Sequence, residues 1–332
     1  MAEGTEVSAK EKGINWLVEL EKYALILAWI ALIVVFAFVA PASFLQWPTF
    51  SSIIFGSQAV LVVLTLGLII PLTAGDFDVS VAAVLTFSAM ILAVLNAKMG
   101  LPLWQAVLAC LAMGLIVGFL NAFFIIFFRI HSLIVTLGTA SVIQGLILWI
   151  SSSQTLSGVS PGLIDWVIVN RLFDIPLAFY YAMALGVIIW YVFEFTPIGR
   201  RLLFVGRGRE VARLSGISVV RVRGVALVAS SVIATLAGII NVGTTGGADP
   251  LSGLTFLLPA FAAAFLGATS IVPGRFNPLG SIIAVFFLVT GITGLNFLGV
   301  DTFVQNMFNG AALILAVSLS QLVRGRKEQG LT

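Results

Sequence analysis

The sequence predicts an all-α, polytopic membrane protein, and three observations carry the prediction. Of 332 residues, 60% are hydrophobic and 9% charged, with a mean hydropathy of +1.14. A soluble domain is roughly 45–50% apolar and about 25% charged, so these few charges could not cover a surface in water. The apolar residues fall into about ten segments, each close to the ~20 residues a helix needs to cross the bilayer core. The period-two alternation of a membrane barrel is absent. The same hydrophobicity excludes a disordered chain. The single cysteine, Cys110, excludes disulfides and thiolate metal sites within the chain, and the single histidine, His131, argues against a histidine metal centre. A net charge of +3 suggests no nucleic-acid partner.

Taken in order, residues 1–22 mix Glu3, Glu6, Glu11, Glu19 and Glu21 with Lys10, Lys12 and Lys22. No small-residue cleavage site follows closely, so they read as a cytoplasmic tail before a retained first helix. The predicted spans are 23–40, 53–73, 79–97, 103–128, 133–151, 176–195, 224–243, 254–271, 277–297 and 303–323. Acidic Asp76 and Asp78 break the chain between the second and third spans, and Arg129 and His131 between the fourth and fifth. Segment 254–271 is the weakest, being short and holding Pro259; nine spans would fit if it only dips into the membrane. Residues 23–323 then form one transmembrane domain, followed by a cytoplasmic tail, 324–332.

Cytoplasmic loops carry an excess of Lys and Arg. With the N-terminus inside and ten crossings, Lys10, Lys12, Lys22, Arg129, Arg200, Arg201, Arg207, Arg209, Arg213, Arg221, Arg223, Arg275, Arg324, Arg326 and Lys327 fall inside, and only Lys98 and Arg171 outside. That division covers all 17 basic residues and supports an even number of crossings with both ends inside.

Two connections are long. The external one, 152–175, carries Asp165, Arg171 and Asp174. The internal one, 199–223, carries seven arginines against one acid, Glu210. Within it Gly208 can start a helix and Gly216 can stop one. Val211 and Leu214 are i,i+3 neighbours and Ala212 is small. This describes a two-turn helix with a basic and an apolar side. It could rest on anionic headgroups, or dock in a groove of a cytoplasmic partner, with its arginines meeting acids.

The stretch Gly199-Arg200-Arg201, Gly206 and Glu210-Val211-Ala212-Arg213-Leu214-Ser215-Gly216-Ile217 resembles the cytoplasmic loop of ribose/simple-sugar ABC-importer permeases. Thr73-Ala74-Gly75-Asp76-Phe77-Asp78-Val79-Ser80-Val81 is similar to the aspartate motif that family carries between spans two and three. Val135-Thr136-Leu137-Gly138-Thr139 is a third match, and Leu266-Gly267-Ala268-Thr269-Ser270 through Pro273-Gly274-Arg275 to Pro278-Leu279-Gly280 a fourth. Ala82 replaces the last glycine of the aspartate motif, Asp76 adds a second acid there, and Pro273 and Phe276 stand in a turn that is usually glycine-rich.

The resemblance implies a pore subunit of an ATP-driven importer of a simple sugar or related polyol, in a bacterial inner membrane. It implies a second permease copy or paralogue, cytoplasmic ATPase subunits that carry ATP and Mg, and an extracytoplasmic solute-binding protein. Surrounding membrane lipids complete the expected partners. The coupling helix would comprise Arg207, Gly208, Arg209, Glu210, Val211, Ala212, Arg213, Leu214, Ser215 and Gly216. Related permeases make a furanosyl signalling molecule or a nucleoside the alternative cargo.

The chain's own chemistry points the same way. No lysine follows a glycine, so a P-loop is missing and the expected cofactor content of this chain is none. Its predicted spans hold almost no ionisable residues of the kind that relay protons or ions in self-sufficient carriers. Neither H-E-x-x-H nor G-x-S-x-G occurs, which argues against an intramembrane enzyme. Neutral polar residues do occur along the spans. Ser80, Asn121, Thr136, Gln144, Asn241 and Asn296, with Asp78, are the candidate path or gate. Each could instead make an interhelical hydrogen bond, worth about 0.6 kcal/mol; Asp78 could cap the third span, and Asp76 could be simply solvated.

Overall fold

A computed structural model describes residues 22–329. The expected tail 1–22 lies outside that range except for Lys22. Among the described residues nine helices are long and apolar enough to cross a membrane. The principal helices are α1 (Lys22–Val39), α2 (Ala59–Thr73), α3 (Val81–Ala93), α4 (Leu103–Phe127), α5 (Ser132–Ser151) and α6 (Leu177–Phe195). After them come two short helices, α7 (Pro197–Arg207) and α8 (Arg209–Leu214), then α9 (Val219–Thr245), α10 (Ser252–Gly267), α11 (Pro278–Phe297) and α12 (Thr302–Gln329). π-helical turns, Thr49–Gly56 and Val94–Lys98, extend the outer ends of α2 and α3.

A helix that is apolar all round belongs inside, and α2 is the clearest case. Every one of its residues except Ile70 is buried. Its hydroxyls do not need partners elsewhere, since Thr65 and Thr73 donate to the carbonyls of Leu61 and Ile69. α9, α6, α10 and α11 pack around it. α3 is the second inner helix, enclosed by α9, α5, α4 and α10. α4 lies along α9 where Gly114 and Gly118 face Thr235 and Ser231. The outermost position of α1 leaves only Leu25 and Phe36 buried; its Trp29 Nε1 donates to Thr290 Oγ1 of α11 at 2.9 Å.

The sixteen residues of α10 extend about 24 Å at 1.5 Å per residue, short of a ~30 Å hydrocarbon core. It nevertheless joins opposite faces. Its C-terminal end is tied to the start of α1, with the Ser270 hydroxyl and the Ile271 N–H both donating to the Lys22 carbonyl. Its N-terminal end is tied to the loop after α5. There β1 (Leu156–Ser157) pairs antiparallel with β4 (Gly247–Ala248), Leu156 opposite Ala248. Residues 246–251 cover the missing length as non-helical chain that includes β4, with Gly247, Ala248 and Pro250 buried against protein and Asp249 and Leu251 exposed. With α10 counted, ten helices among the described residues cross. The turn that follows α9 is thereby held by that ladder. A second small ladder, β2 (Arg171–Leu172) with β3 (Ile175–Pro176), closes the same loop just before α6.

Candidate functional site

The inner connection between α6 and α9 holds more structure than one two-turn helix. Thr196 caps α7, its hydroxyl accepting the Gly199 N–H at 3.4 Å, and Pro197 takes the first helical position, where its missing N–H costs nothing. α7 buries Gly199, Leu202 and Val205 and exposes Arg200, Arg201 and Arg207. It lies so close to the end of α2 that a Cβ on Gly206 would overlap the Thr73 carbonyl oxygen. The chain turns at Gly208, whose extended backbone caps α8. The far end closes as a Schellman motif. Gly216 is left-handed at φ +80°, its N–H reaches the Arg213 carbonyl, and the Ile217 N–H reaches Ala212, both at 3.0 Å. The Ser215 hydroxyl donates to the Val211 carbonyl.

α8 turns its apolar pair outward. Val211 is 60% exposed and Leu214 84%, while Ala212 is fully buried. Glu210 and Arg213 are exposed beside them. Arg209 points inward, its Nη2 donating to the Gly75 carbonyl at 2.9 Å and to Asp76 Oδ1 at 3.0 Å.

Asp76 is not solvated. It is 1% exposed and accepts a bidentate pair from Arg223 at the start of α9, Nε to Oδ2 at 2.6 Å and Nη2 to Oδ1 at 2.7 Å. One carboxylate thus gathers the α2–α3 connector, α8 and α9. Around it opens a cleft of about 670 Å³ lined by Arg129, His131, Arg209 and Arg223 over an apolar floor that includes Ile125 and Ile126. His131 Nδ1 accepts the Leu133 N–H and so caps α5. On the same face Glu194, at the end of α6, forms an ion pair with Arg275; burial pulls the Arg275 guanidinium below its ordinary pKa.

Beyond Asp76 the connector runs into a buried relay of hydrogen bonds. Thr139 Oγ1 donates to Asn121 Oδ1 (2.7 Å), Asn121 Nδ2 to Ser80 Oγ (2.9 Å), and Ser80 Oγ to Asp78 Oδ1 (2.6 Å). Asp78 Oδ1 also accepts the Ser80 N–H, while Ser80 itself stands at the N-cap of α3. Thr136 Oγ1 accepts the Val79 N–H, and Ser132 Oγ the Phe77 N–H. Four of the expected path residues, Asp78, Ser80, Asn121 and Thr136, therefore converge, and all four are buried. They clamp the connector to α4 and α5.

The other three stand apart. Gln144 Nε2 donates to the Pro250 carbonyl at 3.1 Å. Asn241 is buried near the outer end of α9, its carbonyl accepting the hydroxyls of Thr244 and Thr245. Asn296 is exposed at the end of α11 and accepts from Gln305 of α12. Sequence reasoning missed the role of Asp76, because its two arginines lie 133 and 147 residues away. The signal that was available was an extra acid beside a loop with seven arginines.

Comparison with known proteins agrees with this architecture. Residues 50–317 match the family described as branched-chain amino acid transport system / permease component. The D-allose transport system permease protein AlsC of Escherichia coli strain K12 is 27% identical over 316 residues, 95% of this chain and 96% of that protein. The ribose import permease protein RbsC of the same strain is 28% identical, covering 87% and 91%. The autoinducer 2 import system permease protein LsrD of Photorhabdus laumondii is 29% identical, covering 77% and 78%. No solved structure matches. The protein is a multi-pass membrane protein, and by its sequence match it belongs to the branched-chain amino acid transport system / permease component family.

Proposed function

We propose that this chain forms the pore of an ATP-driven importer of a neutral sugar or related polyol in a bacterial inner membrane. Separate ATPase subunits dock on residues 199–223, and ATP and Mg reside on those subunits. A second copy or paralogue completes the pore, and an extracytoplasmic binding protein delivers solute. The permeases for D-allose and ribose among the relatives support the cargo. The autoinducer 2 permease supports a furanosyl signalling molecule as the second reading.

The observation that carries this reading is the geometry of α8. A two-turn helix displays Val211 and Leu214 to the cytoplasm while Arg209 ties its back to Gly75 and Asp76. Force applied by a partner on the apolar pair enters the α2–α3 connector through Arg209, and passes to α4 and α5 through Ser80, Asn121 and Thr136. Leu214→Asp places a charge in the docking contact and leaves the core intact. It is expected to abolish co-purification of the ATPase subunits and solute uptake, with unchanged thermal stability of the permease. Co-purification at the wild-type level would overturn the assignment of α8 as the docking helix.

A further inference from the structure

A carboxylate stands below the outer rim of the protein and faces outward. Two gauges give its depth. Gln144, which holds the Pro250 carbonyl, comes seven residues before Ser151 at the outer end of α5, about 10 Å down at 1.5 Å per residue. The Gly253 N–H donates to Thr86 Oγ1 at 2.8 Å. Thr86 precedes Val94, where the π-helical extension of α3 begins, by eight residues, about 12 Å. Asp249 adjoins Pro250 and is exposed. A charged group below the rim is costly against lipid, so charged residues there face water or a protein partner. Among the described residues none of the ion pairs includes Asp249.

The surroundings are built rather than loose. The β1–β4 ladder joins the two irregular segments, 152–157 and 246–251. Asp249 Oδ2 accepts from Thr155 Oγ1 at 2.9 Å and Oδ1 from the Leu251 N–H at 2.7 Å. A carboxylate offers about four lone-pair sites, so each oxygen keeps one for an incoming donor. Two adjacent hydroxyls of one solute match that pair. Irregular backbone at membrane depth occurs where it is buried in protein or lines a water-filled cavity, and broken helices there hold solute in many carriers.

We propose that the outer half of the solute path runs over Asp249, whose two carboxylate oxygens take vicinal hydroxyls of a neutral polyhydroxylated solute, with Thr155 and Gln144 beside it. The assignment rests on the import reading above and sharpens it. A carboxylate at this place accepts from diols and repels phosphorylated or carboxylated solutes.

Two measurements test it. In intact cells, Asp249→Cys is expected to react with a membrane-impermeant cationic methanethiosulfonate added outside. Ile116→Cys, exposed on α4, is expected to stay unreacted, and native Cys110 is buried. In the native host deleted for this chain, complementation with Asp249→Asn is expected to raise the KM for uptake of radiolabelled D-ribose or D-allose about tenfold, with the maximal rate within twofold of wild type. An unreactive Asp249→Cys in protein that reaches the membrane overturns the water-facing placement, and an unchanged KM overturns the solute contact. Wild type that takes up neither sugar overturns the sugar reading instead; the thiol reaction needs no solute and still decides whether Asp249 lines a wet path.

Discussion

Asp76 illustrates what a single residue can join. Its carboxylate is almost wholly buried, and it is neutralised by Arg223, itself mostly buried, and by the half-exposed Arg209. Removing one partner of a buried pair strands the other charges, at a typical cost of 3–5 kcal/mol. The exposure of Arg209 puts this case at the low end. Asp76→Asn is therefore expected to lower unfolding stability by about 3 kcal/mol, seen as a lower melting temperature in detergent. It is also expected to leave ATPase co-purification intact while uptake falls at least tenfold, because the docking face of α8 remains and its link to the connector does not. Equal loss of co-purification and uptake would count against a transmitting role. The neighbouring Asp78 shows the opposite lesson. Its carboxylate accepts the N–H of Ser80, which is itself the N-cap of α3, so Asp78 braces the turn before the helix rather than capping it, a relation confined to neighbouring residues.

At the scale of elements, helix ends were legible and helix partners were not. Gly208 and Gly216 bracket α8, and Gly216 takes the left-handed conformation that favours glycine. α7 is not legible in the sequence because its three arginines read as a solvated loop, whereas Leu202 and Val205 form the narrow apolar stripe that seats it. That seating is tight at Gly206. Gly206→Val would drive a side chain into the Thr73 carbonyl, and overpacking of this kind typically costs 1–3 kcal/mol. The expected result is faster proteolysis within residues 199–223 of membrane vesicles that expose their cytoplasmic face, with the transmembrane helices still protected. In the sequence, segment 254–271 suits either a crossing or a dip, being short and holding Pro259. The contacts of its two ends decide for a crossing.

The whole molecule follows from that decision. With α10 crossing, the turn between α11 and α12 lies outside and the turn between α10 and α11 inside. Leu298→Cys, 45% exposed at the outer end of α11, is expected to react with an impermeant thiol reagent in intact cells. Met99→Cys should do the same, and Leu214→Cys only after permeabilisation. Protection of Leu298→Cys in intact cells would mean that α10 turns back. The division of basic residues between the two faces already favoured this arrangement, because each arginine reports its side of the membrane regardless of its neighbours.

The amino-acid sequence alone determined the membrane class, the span positions to within a few residues, the inside location of the arginine-rich elbow and the start and stop of α8. These rest on hydropathy, charge bias and local backbone preference, which act over one helix or less. Only the tertiary structure decided that α2 is the central helix, that Asp76 binds Arg209 and Arg223, that four polar residues of three segments form one relay, and that Asp249 faces outward below the rim. Each of those depends on which helices become neighbours. Inside a membrane, where every span is apolar, that choice is made by close packing and a few long-range polar pairs rather than by any pattern along the chain.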